Sequence, residues 1–326
     1  MKTPIPVLVL FGPTASGKTG ILFELFNSLD AIQAEIISAD SMQVYRGMDI
    51  GTAKPSAQER ARLPHHLIDI CDPSQQFNAG DFVRLADEAC AKITQRGKLP
   101  VVSGGTGFYL KNFILGLSEA PLSNLEIREQ LKKELNEKGS NLLMEELALC
   151  DPVSAGRIHI NDEYRLLRAL EVCRSSGKPL SSFENSSVET RGNFRFITIG
   201  LSRPRAELYR RINLRCEEMF RLGLHEEVQS LYKAGYTPDD PGLRAIGYRE
   251  FFIETYVSKE PYDDAPRWSI SKDLEGVQAL IAQNSRRYAK RQITFFAGIP
   301  DVKWIEVDSS EKIIAQRIRE IVNQDL

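Results

Sequence analysis

The 326-residue sequence lacks the features of exported, zinc-binding and membrane-spanning proteins. It has only five cysteines and no Cys-x-x-Cys pair, which argues against both a disulfide framework and a zinc site. The early apolar run at residues 7–11 is far too short to span a bilayer. Gly12-Pro13 follows it, where an export sequence would have small residues. We therefore expect a cytoplasmic protein.

Charge of one sign is not in excess either. The 42 Lys and Arg residues are balanced by 44 Asp and Glu residues, so the net charge is −2 and does not itself indicate a polyanionic partner. Any such indication must come from local clusters. The 42% of hydrophobic residues can build the core of one large domain or of two modest ones.

Short β-branched runs, each followed by a turn and a helical pattern, predict a parallel α/β sheet. The runs are Pro6–Phe11, Glu35–Ala39, Leu99–Ser103, Phe194–Leu201 and Val302–Val307. We predict an α/β core at residues 1–120 and 194–326 and a helical insertion domain at 121–193, where strand patterns stop. The helices predicted in the insertion are Glu126–Lys138 and Asp162–Ser175. A serine-rich stretch at residues 181–187 is predicted to be a loop.

The sequence G-x-x-x-x-G-K-T occurs once, after the first predicted strand and before a helix that begins near Lys18. It predicts a P-loop NTPase-like core that binds a small diphosphate or triphosphate. Backbone N–H groups and the helix N-terminus would hold the phosphates, Lys18 would neutralise the terminal phosphate, and Thr19 would bind Mg²⁺. The predicted phosphate-binding residues are Gly12, Pro13, Thr14, Ala15, Ser16, Gly17, Lys18 and Thr19.

Polar side chains follow the second and third predicted strands. Asp40 comes directly after residues 35–39, and Thr106 follows residues 99–103 and two glycines. Open α/β sheets bind ligands at the carboxyl ends of their strands, so both side chains should lie near the phosphate loop. Asp40 could be a general base, a metal ligand through water or a helix cap, and Thr106 an active-site hydroxyl or part of a turn. A small-molecule kinase and other chemistries with a phosphate leaving group both remain open.

Basic residues cluster locally despite the balanced total charge. Residues 203–215 carry five arginines against one acid, and Arg211 and Arg215 share a helix face. Residues 276–300 carry four basic residues, no acid and interleaved aromatics, and residues 157–178 add a second basic surface. Such stripes are typical of nucleic-acid binding, although composition alone favours a solvated basic face with core aromatics.

Eight motifs occur in one order along nearly the whole chain. They are G-P-T-A-S-G-K-T at 12–19, A-D-S-M-Q-V-Y-R at 39–46, G-T-A-K-P at 51–55, H-H-L-I-D at 65–69, G-G-T-G-F-Y at 104–109, R-L-L-R-A-L-E-V at 165–172, A-I-G-Y-R-E at 245–250 and R-R-Y-A-K-R-Q-I-T at 286–294. The series resembles the tRNA dimethylallyltransferases, also called isopentenyl-diphosphate:tRNA transferases. No cysteine- and histidine-rich segment follows Pro300, so the resemblance is to the bacterial members.

The resemblance implies transfer of a dimethylallyl group from dimethylallyl diphosphate to N6 of the adenosine 3′ of a tRNA anticodon, with release of pyrophosphate. The phosphate loop would then hold a diphosphate instead of ATP. Asp40 would be the general base on the adenine amine, and Thr106 would position that amine or Asp40. Lys18, Arg215 and Mg²⁺ on Thr19 would neutralise the charge that grows on pyrophosphate. We expect a monomer.

The resemblance also implies a surface that holds the tRNA anticodon stem-loop, with the target nucleotide turned out of the loop. The residues matched to it are Asp40, Ser41, Met42, Gln43, Thr106, Arg128, Tyr164, Arg165, Leu166, Leu167, Arg168, Arg244, Gly247, Tyr248, Arg249, Lys290, Arg291, Gln292 and Thr294. Three positions depart from the family, which usually has glutamine at 164, tryptophan at 295 and arginine at 297, where this chain has Tyr164, Phe295 and Ala297. These changes concern RNA affinity. For His65 and His66, which have no third ligand near them in sequence, we expect a structural role.

Overall fold

The computed structural model describes residues 3–26, 32–121, 123–184, 191–255 and 267–325. Its strands and helices in chain order are β1 Ile5–Phe11, α1 Lys18–Phe26, β2 Ala34–Ala39, α2 Ala57–Arg62, β3 His65–His66, α3 Ala79–Gln95, β4 Leu99–Gly104, α4 Gly107–Leu115, α5 Leu125–Cys150, α6 Pro152–Ala155, α7 Glu163–Ser176, α8 Leu180–Glu184, β5 Phe194–Ser202, α9 Arg205–Arg221, α10 Leu224–Lys233, β6 Phe252–Glu254, β7 Trp268–Ile270, α11 Leu274–Phe296, β8 Lys303–Glu306 and α12 Glu311–Asp325. Within these described ranges no helix is long and apolar enough to cross a membrane.

Six parallel strands form the central sheet in the order β3-β2-β4-β1-β5-β8. The α/β prediction is confirmed, and all five predicted strands belong to this sheet. The sixth, β3, was not predicted, because its two residues are too few to show a periodic pattern. The antiparallel pair formed by β6 and β7 also escaped prediction; each of its strands has only three residues.

Strand β1 lies inside the sheet and sends alternate side chains to opposite faces. Val7 and Val9 belong to a hydrophobic cluster with residues of α3 and α4, whereas Leu8 and Leu10 pack with residues of α1 and α12. All four side chains are 0% exposed, which accounts for the near-continuous apolar sequence. Full burial of each such side chain contributes about 1.5–3 kcal/mol to stability. The core therefore fixes where β1 ends and the phosphate loop begins.

Helices α9, α10 and α11 share a third hydrophobic cluster, which includes Leu208, Val228 and Ile281. Val44 and Tyr45, from the segment after β2, are buried in the same cluster. This packing holds α9 and α11, the two helices with local excesses of basic residues, against the segment that begins at the end of β2.

The chain divides into two compact units, Met1–Ile114 with Arg191–Leu326, and Leu115–Thr190. The sequence places the corresponding insertion at 121–193. In the second unit, called the helical unit below, leucines of α5 and α7 form the core; they are Leu131, Leu143, Leu147, Leu166, Leu167 and Leu170. Helix α5 is interrupted at Gly139 (φ 77°, ψ 168°), so the predicted helix at 126–138 is its first half.

The predicted loop at residues 181–187 is wrong over its first part, because α8 extends to Glu184. Residues 185–187 lie outside the described residues. Asp151, which is fully buried, accepts hydrogen bonds from the N–H of Ser181 at 2.9 Å and from its hydroxyl at 2.7 Å. This contact spans 30 positions, so a local serine-rich pattern cannot show it.

Candidate active site

Strands β1, β2 and β4 end side by side, and the loops that follow them meet. The register places Gly104, the last residue of β4, beside Phe11 on one side and Ala39 on the other. A Cβ atom on Gly104 would lie 2.1 Å from the carbonyl oxygen of Ala39, so glycine is required for this close approach. The phosphate loop, Asp40 and Thr106 consequently share one edge of the sheet.

The phosphate loop, residues 12–19, turns sharply between β1 and the N-terminus of α1. Ala15 adopts a left-handed conformation, with φ 63°. The Nζ atom of Lys18 folds back over the loop and donates hydrogen bonds to the carbonyl oxygens of Gly12 at 2.8 Å and Pro13 at 3.0 Å. An ammonium group and the positive end of a helix dipole are thus placed together, as anion binding requires.

Three arginines from α9 and the residues before it surround the loop. Their contacts are Arg203 Nε to the carbonyl oxygen of Ser16 (3.2 Å), Arg211 Nε to that of Ala15 (2.9 Å) and Arg215 Nη1 to Thr14 Oγ1 (3.2 Å). Burial and the charge of Arg215 lower the pKa of Lys18 to about 8, against an opposing effect of Asp40. Burial also lowers the pKa of Arg215. These shifts indicate a concentration of positive charge that a bound anion would relieve.

Asp40 both caps a turn and faces the cationic groups. Its Oδ1 atom accepts hydrogen bonds from the N–H groups of Met42 at 2.9 Å and Gln43 at 3.3 Å, so Asp40 caps a turn and not the helix that was considered from sequence. Its Oδ2 atom accepts no hydrogen bond from the described part of the chain. The carboxylate acts electrostatically on both Lys18 and Arg215. Capping and a chemical role are therefore compatible, because they use different oxygens.

Thr106 lies against the segment that begins at Asp40. Its backbone N–H donates to the carbonyl oxygen of Ala39 at 3.1 Å. Its Oγ1 atom accepts from the N–H of Ser41 at 2.9 Å and donates to Ser41 Oγ at 3.3 Å. Thr106 thus fixes the backbone on either side of Asp40, which fits a positioning role.

The phosphate loop and Asp40 line a cavity of about 510 Å³, to which Gly105 but not Thr106 contributes. Asp40 and the cationic residues Lys18, Arg211 and Arg215 contribute to its wall, together with the apolar side chain of Leu214. The part of the phosphate loop that lines the cavity comprises Thr14, Ala15, Gly17, Lys18 and Thr19. Gly12, Pro13 and Ser16, which were also predicted to bind phosphate, are buried behind this surface.

Helix α11 takes part in the site in a way that was not predicted from the sequence. Gln292 is 4% exposed; its Oε1 accepts from the N–H of Thr14 at 2.9 Å, and its Nε2 donates to the carbonyl oxygen of Gly105 at 2.7 Å. Tyr288, one turn earlier, lines the cavity, and burial together with the charge of Asp40 raises its pKa to about 12. The i, i+4 spacing of these two residues was the available indication, since it puts them on one helix face.

One further group supports the site from a distance. The carboxylate of Glu227 accepts hydrogen bonds from three successive N–H groups, those of residues 49, 50 and 51, and from the hydroxyl of Tyr248. It thereby holds the segment that brings Thr52 and Ala53 to the cavity.

His66 lies away from the site. Its Nε2 atom is 2.7 Å from the carboxylate of Glu35, which belongs to the first half of β2 and not to its carboxyl end. Among the described residues, no group of three or more His, Cys, Asp or Glu could hold a metal ion.

The structure divides the residues matched to a tRNA surface into buried and accessible ones. The buried ones are Leu166, Leu167, Gly247, Tyr248 and Gln292. Burial favours a packing or bracing role for their side chains, and a part for these residues in tRNA binding stays a prediction. The exposed ones are Tyr164, Arg165, Arg244, Arg249, Lys290, Arg291 and Thr294, and the half-buried ones are Asp40, Ser41, Met42, Gln43, Thr106, Arg128 and Arg168.

Fold and site together define a P-loop-like α/β protein in which the phosphate loop and a carboxylate line one cavity. A family model described as IPP transferase matches residues 43–298. A tRNA dimethylallyltransferase from Geobacter sulfurreducens is 42% identical over 92% of this chain and 91% of its own. The full-length tRNA isopentenylpyrophosphate transferase from Bacillus halodurans has a TM-score of 0.64 at 35% identity, covering 98% of both chains. A eukaryotic dimethylallyltransferase acting on tRNA has a TM-score of 0.72 at 27% identity, covering 98% of this chain and 80% of that one. This chain belongs to the IPP transferase family.

Proposed function

We propose that the protein transfers the dimethylallyl group of dimethylallyl diphosphate to N6 of the adenosine 3′ of a tRNA anticodon. The observation that carries the proposal is one cavity lined by both a cationic phosphate loop and Asp40, in a member of the IPP transferase family. In the reaction the bond from C1 of the prenyl group to the diphosphate oxygen breaks and a bond from N6 to C1 forms. The amine proton leaves to Asp40, and pyrophosphate is released.

The cationic groups of the site stabilise the leaving group, pyrophosphate. Negative charge grows on pyrophosphate as the carbon–oxygen bond breaks, and preorganised positive groups stabilise such charge most strongly where water is excluded. Lys18 and Arg215 both lie at the phosphate loop, and burial lowers the pKa of each. A diphosphate bound there offsets the unfavourable free energy of burying these two positive charges. In the transition state the leaving group carries more negative charge, so the two cations stabilise it most strongly there. Lys18 and Arg215 are therefore assigned to catalysis with the loop that binds the diphosphate.

Asp40 acts as the general base for the nucleophile, the N6 amine of the adenosine. An exocyclic amine is a poor nucleophile because its lone pair is delocalised into the ring, so removal of its proton in the transition state assists attack. General-base catalysis of this kind contributes roughly 10²–10⁴ in rate. Oδ2 is the atom that would take the proton, since Oδ1 is held by the turn. Thr106 keeps Asp40 and Ser41 in place through its contacts with the backbone on either side of Asp40.

The residues present fit Mg²⁺ bound with the substrate. The side chain of Thr19 is exposed at the cavity, whereas no cluster of carboxylates or histidines among the described residues would hold an ion alone. Mg²⁺ characteristically keeps several waters and binds through few protein oxygens together with substrate phosphates. Thr19 would supply the protein oxygen. When bound, the ion would neutralise charge on the diphosphate.

Two separate surfaces would hold the tRNA. Helix α11 presents Lys290 and Arg291 to solvent, while Tyr288 and Gln292 on its inner side reach the cavity and the phosphate loop. In the helical unit the exposed Arg165 and its neighbours supply the second surface. Electrostatic attraction to phosphates would position the anticodon stem-loop, and the flipped adenosine would enter the cavity. With tRNA as acceptor, the proposed setting is the cytoplasm, which the five unpaired cysteines also favour.

An ATP-dependent small-molecule kinase uses the same phosphate-loop chemistry. Membership in the IPP transferase family does not favour it. The two functions are separated by incubating the protein with Mg²⁺, labelled dimethylallyl diphosphate and unmodified tRNA, and in parallel with labelled ATP and nucleosides. We expect label in tRNA and equimolar pyrophosphate in the first mixture and no phosphorylated product in the second. Label in nucleosides but none in tRNA would overturn the proposal.

A further inference from the structure

Glu171, on helix α7 of the helical unit, is a carboxylate without any solvent exposure. Its Oε1 atom accepts a hydrogen bond from Ser123 Oγ at 2.7 Å and another, at 2.6 Å, from the backbone N–H of Asn124. Asn124 is the N-cap residue of α5. Its Oε2 atom lies 3.1 Å from Nη1 of Arg168 and 3.8 Å from Nη1 of Arg128. One oxygen therefore secures the start of α5, and the other faces two arginines.

Burying a carboxylate is unfavourable unless charged or hydrogen-bonding partners compensate it. The start of α5 would need only an acceptor, which a neutral amide could supply. The charge of Glu171 is instead matched by the two guanidinium groups, although Oε2 and Arg168 Nη1 are buried without a well-formed hydrogen bond. A capping role for Glu171 at the start of α5 therefore does not explain its interaction with the two arginines.

Both arginines are held in defined positions at the surface. Arg168 is 26% exposed and donates through Nη2 to the carbonyl oxygen of Pro121 at 2.5 Å. Arg128 is 22% exposed, and its guanidinium carbon lies 5.0 Å from the ring centre of Tyr164, which is itself 69% exposed. An exposed aromatic ring beside fixed guanidinium groups suits a single-stranded RNA segment, whose bases stack on rings and whose phosphates accept from arginine.

We infer that Glu171 is a positioning residue for RNA binding, which acts by holding Arg128 and Arg168 beside Tyr164. The inference rests on the proposed function, because that function supplies the RNA. Free arginine side chains lose rotational freedom when they bind a phosphate, and side chains already held in place lose less. Glu171 also neutralises part of the positive charge that attracts RNA. Removing its charge should therefore weaken RNA binding if Glu171 positions the arginines, and strengthen binding if it only neutralises them.

The test is binding of unmodified tRNA to Glu171→Gln at several salt concentrations, with Glu137→Gln, an exposed glutamate of α5, as the matched control. Glutamine keeps the size of the side chain and an acceptor for the start of α5 but removes the charge. We expect the Kd for tRNA to rise about threefold to tenfold, because one or two arginine side chains would then lose rotational freedom when tRNA binds. The salt slope should become shallower, and kcat at saturating tRNA should not change. The control should match the wild type. Unchanged or tighter binding by Glu171→Gln would overturn the inference.

A combined variant separates positioning from a general structural effect. If Glu171 acts through the two arginines, adding Glu171→Gln to Arg128→Ala with Arg168→Ala should weaken tRNA binding no further; an additive loss would overturn the inference. If Glu171→Gln does not fold, Glu171→Asp keeps the charge but withdraws it by one methylene, and it should still weaken binding. Wild-type affinity in that variant would count against positioning. Failure of the wild-type protein to bind tRNA would instead contradict the proposed function.

Discussion

Gln292 holds the phosphate loop by accepting a hydrogen bond from the backbone N–H of Thr14 at 2.9 Å, across 278 positions of sequence. The same side chain donates to the carbonyl oxygen of Gly105 in the loop after β4. A helix with a basic outer face is thereby joined to both loops of the active site. The conformation of the phosphate loop depends on α11 as well as on its own glycines.

Replacing Gln292 by alanine should loosen the phosphate loop. The substitution removes the partners of the part-buried N–H of Thr14 and of the buried carbonyl of Gly105, and an unsatisfied buried group costs about 1–3 kcal/mol. We expect a lower Tm and a Kd for pyrophosphate that is about tenfold higher, equivalent to 1.4 kcal/mol. Calorimetric titration with pyrophosphate measures the change. Gln283→Ala, an exposed glutamine on the same helix, is the control. Equal pyrophosphate affinity in both variants would contradict the bracing role.

Binding of pyrophosphate should weaken as the pH rises above 8. Burial and Arg215 lower the pKa of Lys18 to about 8, so the ammonium charge that attracts the anion is lost above this pH. We expect the Kd to rise by up to about fivefold between pH 8 and pH 9, because the protonated fraction of Lys18 falls by about that factor. Calorimetry across pH 7–9.5 tests this. Lys18→Arg stays protonated throughout this range and should show a flatter profile; parallel profiles for the two proteins would show that another group titrates.

The parts of the site that could be predicted from the sequence are those that depend on neighbouring residues. Strand β1 is buried on both faces, so its apolar run is unmistakable, and the phosphate loop follows it directly. The positions of Asp40 and Thr106 follow from the rule that parallel strands present their carboxyl ends at one edge. These inferences needed no information about distant contacts.

The remaining features depend on contacts that no local pattern contains. Gln292 belongs to a basic segment, and only the fold shows that its side chain points inward to Thr14. Strand β3 exists because two residues pair with β2, and α8 is tied to the buried Asp151. Leu166 and Leu167 lie in a motif full of charged residues, yet both are in the core of the helical unit. A motif match places a segment near a function without showing which side chains face it.

Glu35 should make the fold sensitive to acid. Burial alone would raise its pKa, but hydrogen bonds from Arg96, His66 and Lys98 lower it to about 2. Because this pKa lies below that of the unfolded chain, the carboxylate stabilises the fold above about pH 4.5, and this contribution is lost as the pH falls towards 2. The contribution is at most about 3 kcal/mol. Glu35→Gln should lower the free energy of unfolding at pH 7 and flatten its dependence between pH 4.5 and 2. Glu88→Gln, at an exposed pair, should do neither.

Arg291 should contribute to tRNA binding through phosphate contact. It is exposed on α11, where its guanidinium carbon lies 5.7 Å from the ring centre of Tyr288. Removing one phosphate contact lowers the steepness of the salt dependence by about 1 in log–log slope. We therefore expect Arg291→Ala to bind tRNA more weakly and with a shallower slope. Lys92→Ala, at an exposed position near the end of α3, should retain the wild-type slope. An unchanged slope for Arg291→Ala would argue against an RNA-facing helix.

Asp40 and the phosphate loop line one cavity, and the proposed reaction uses Asp40 as its general base. Asp40→Asn tests it most directly, because asparagine keeps the acceptor that caps the turn but cannot take a proton. In a single-turnover experiment with labelled dimethylallyl diphosphate, Mg²⁺ and saturating tRNA, we expect binding of both substrates to stay within about twofold of the wild type. Transfer of label to tRNA should fall by roughly 10²–10⁴, with pyrophosphate release falling in parallel. Transfer at the wild-type rate would contradict the role of Asp40 as the general base.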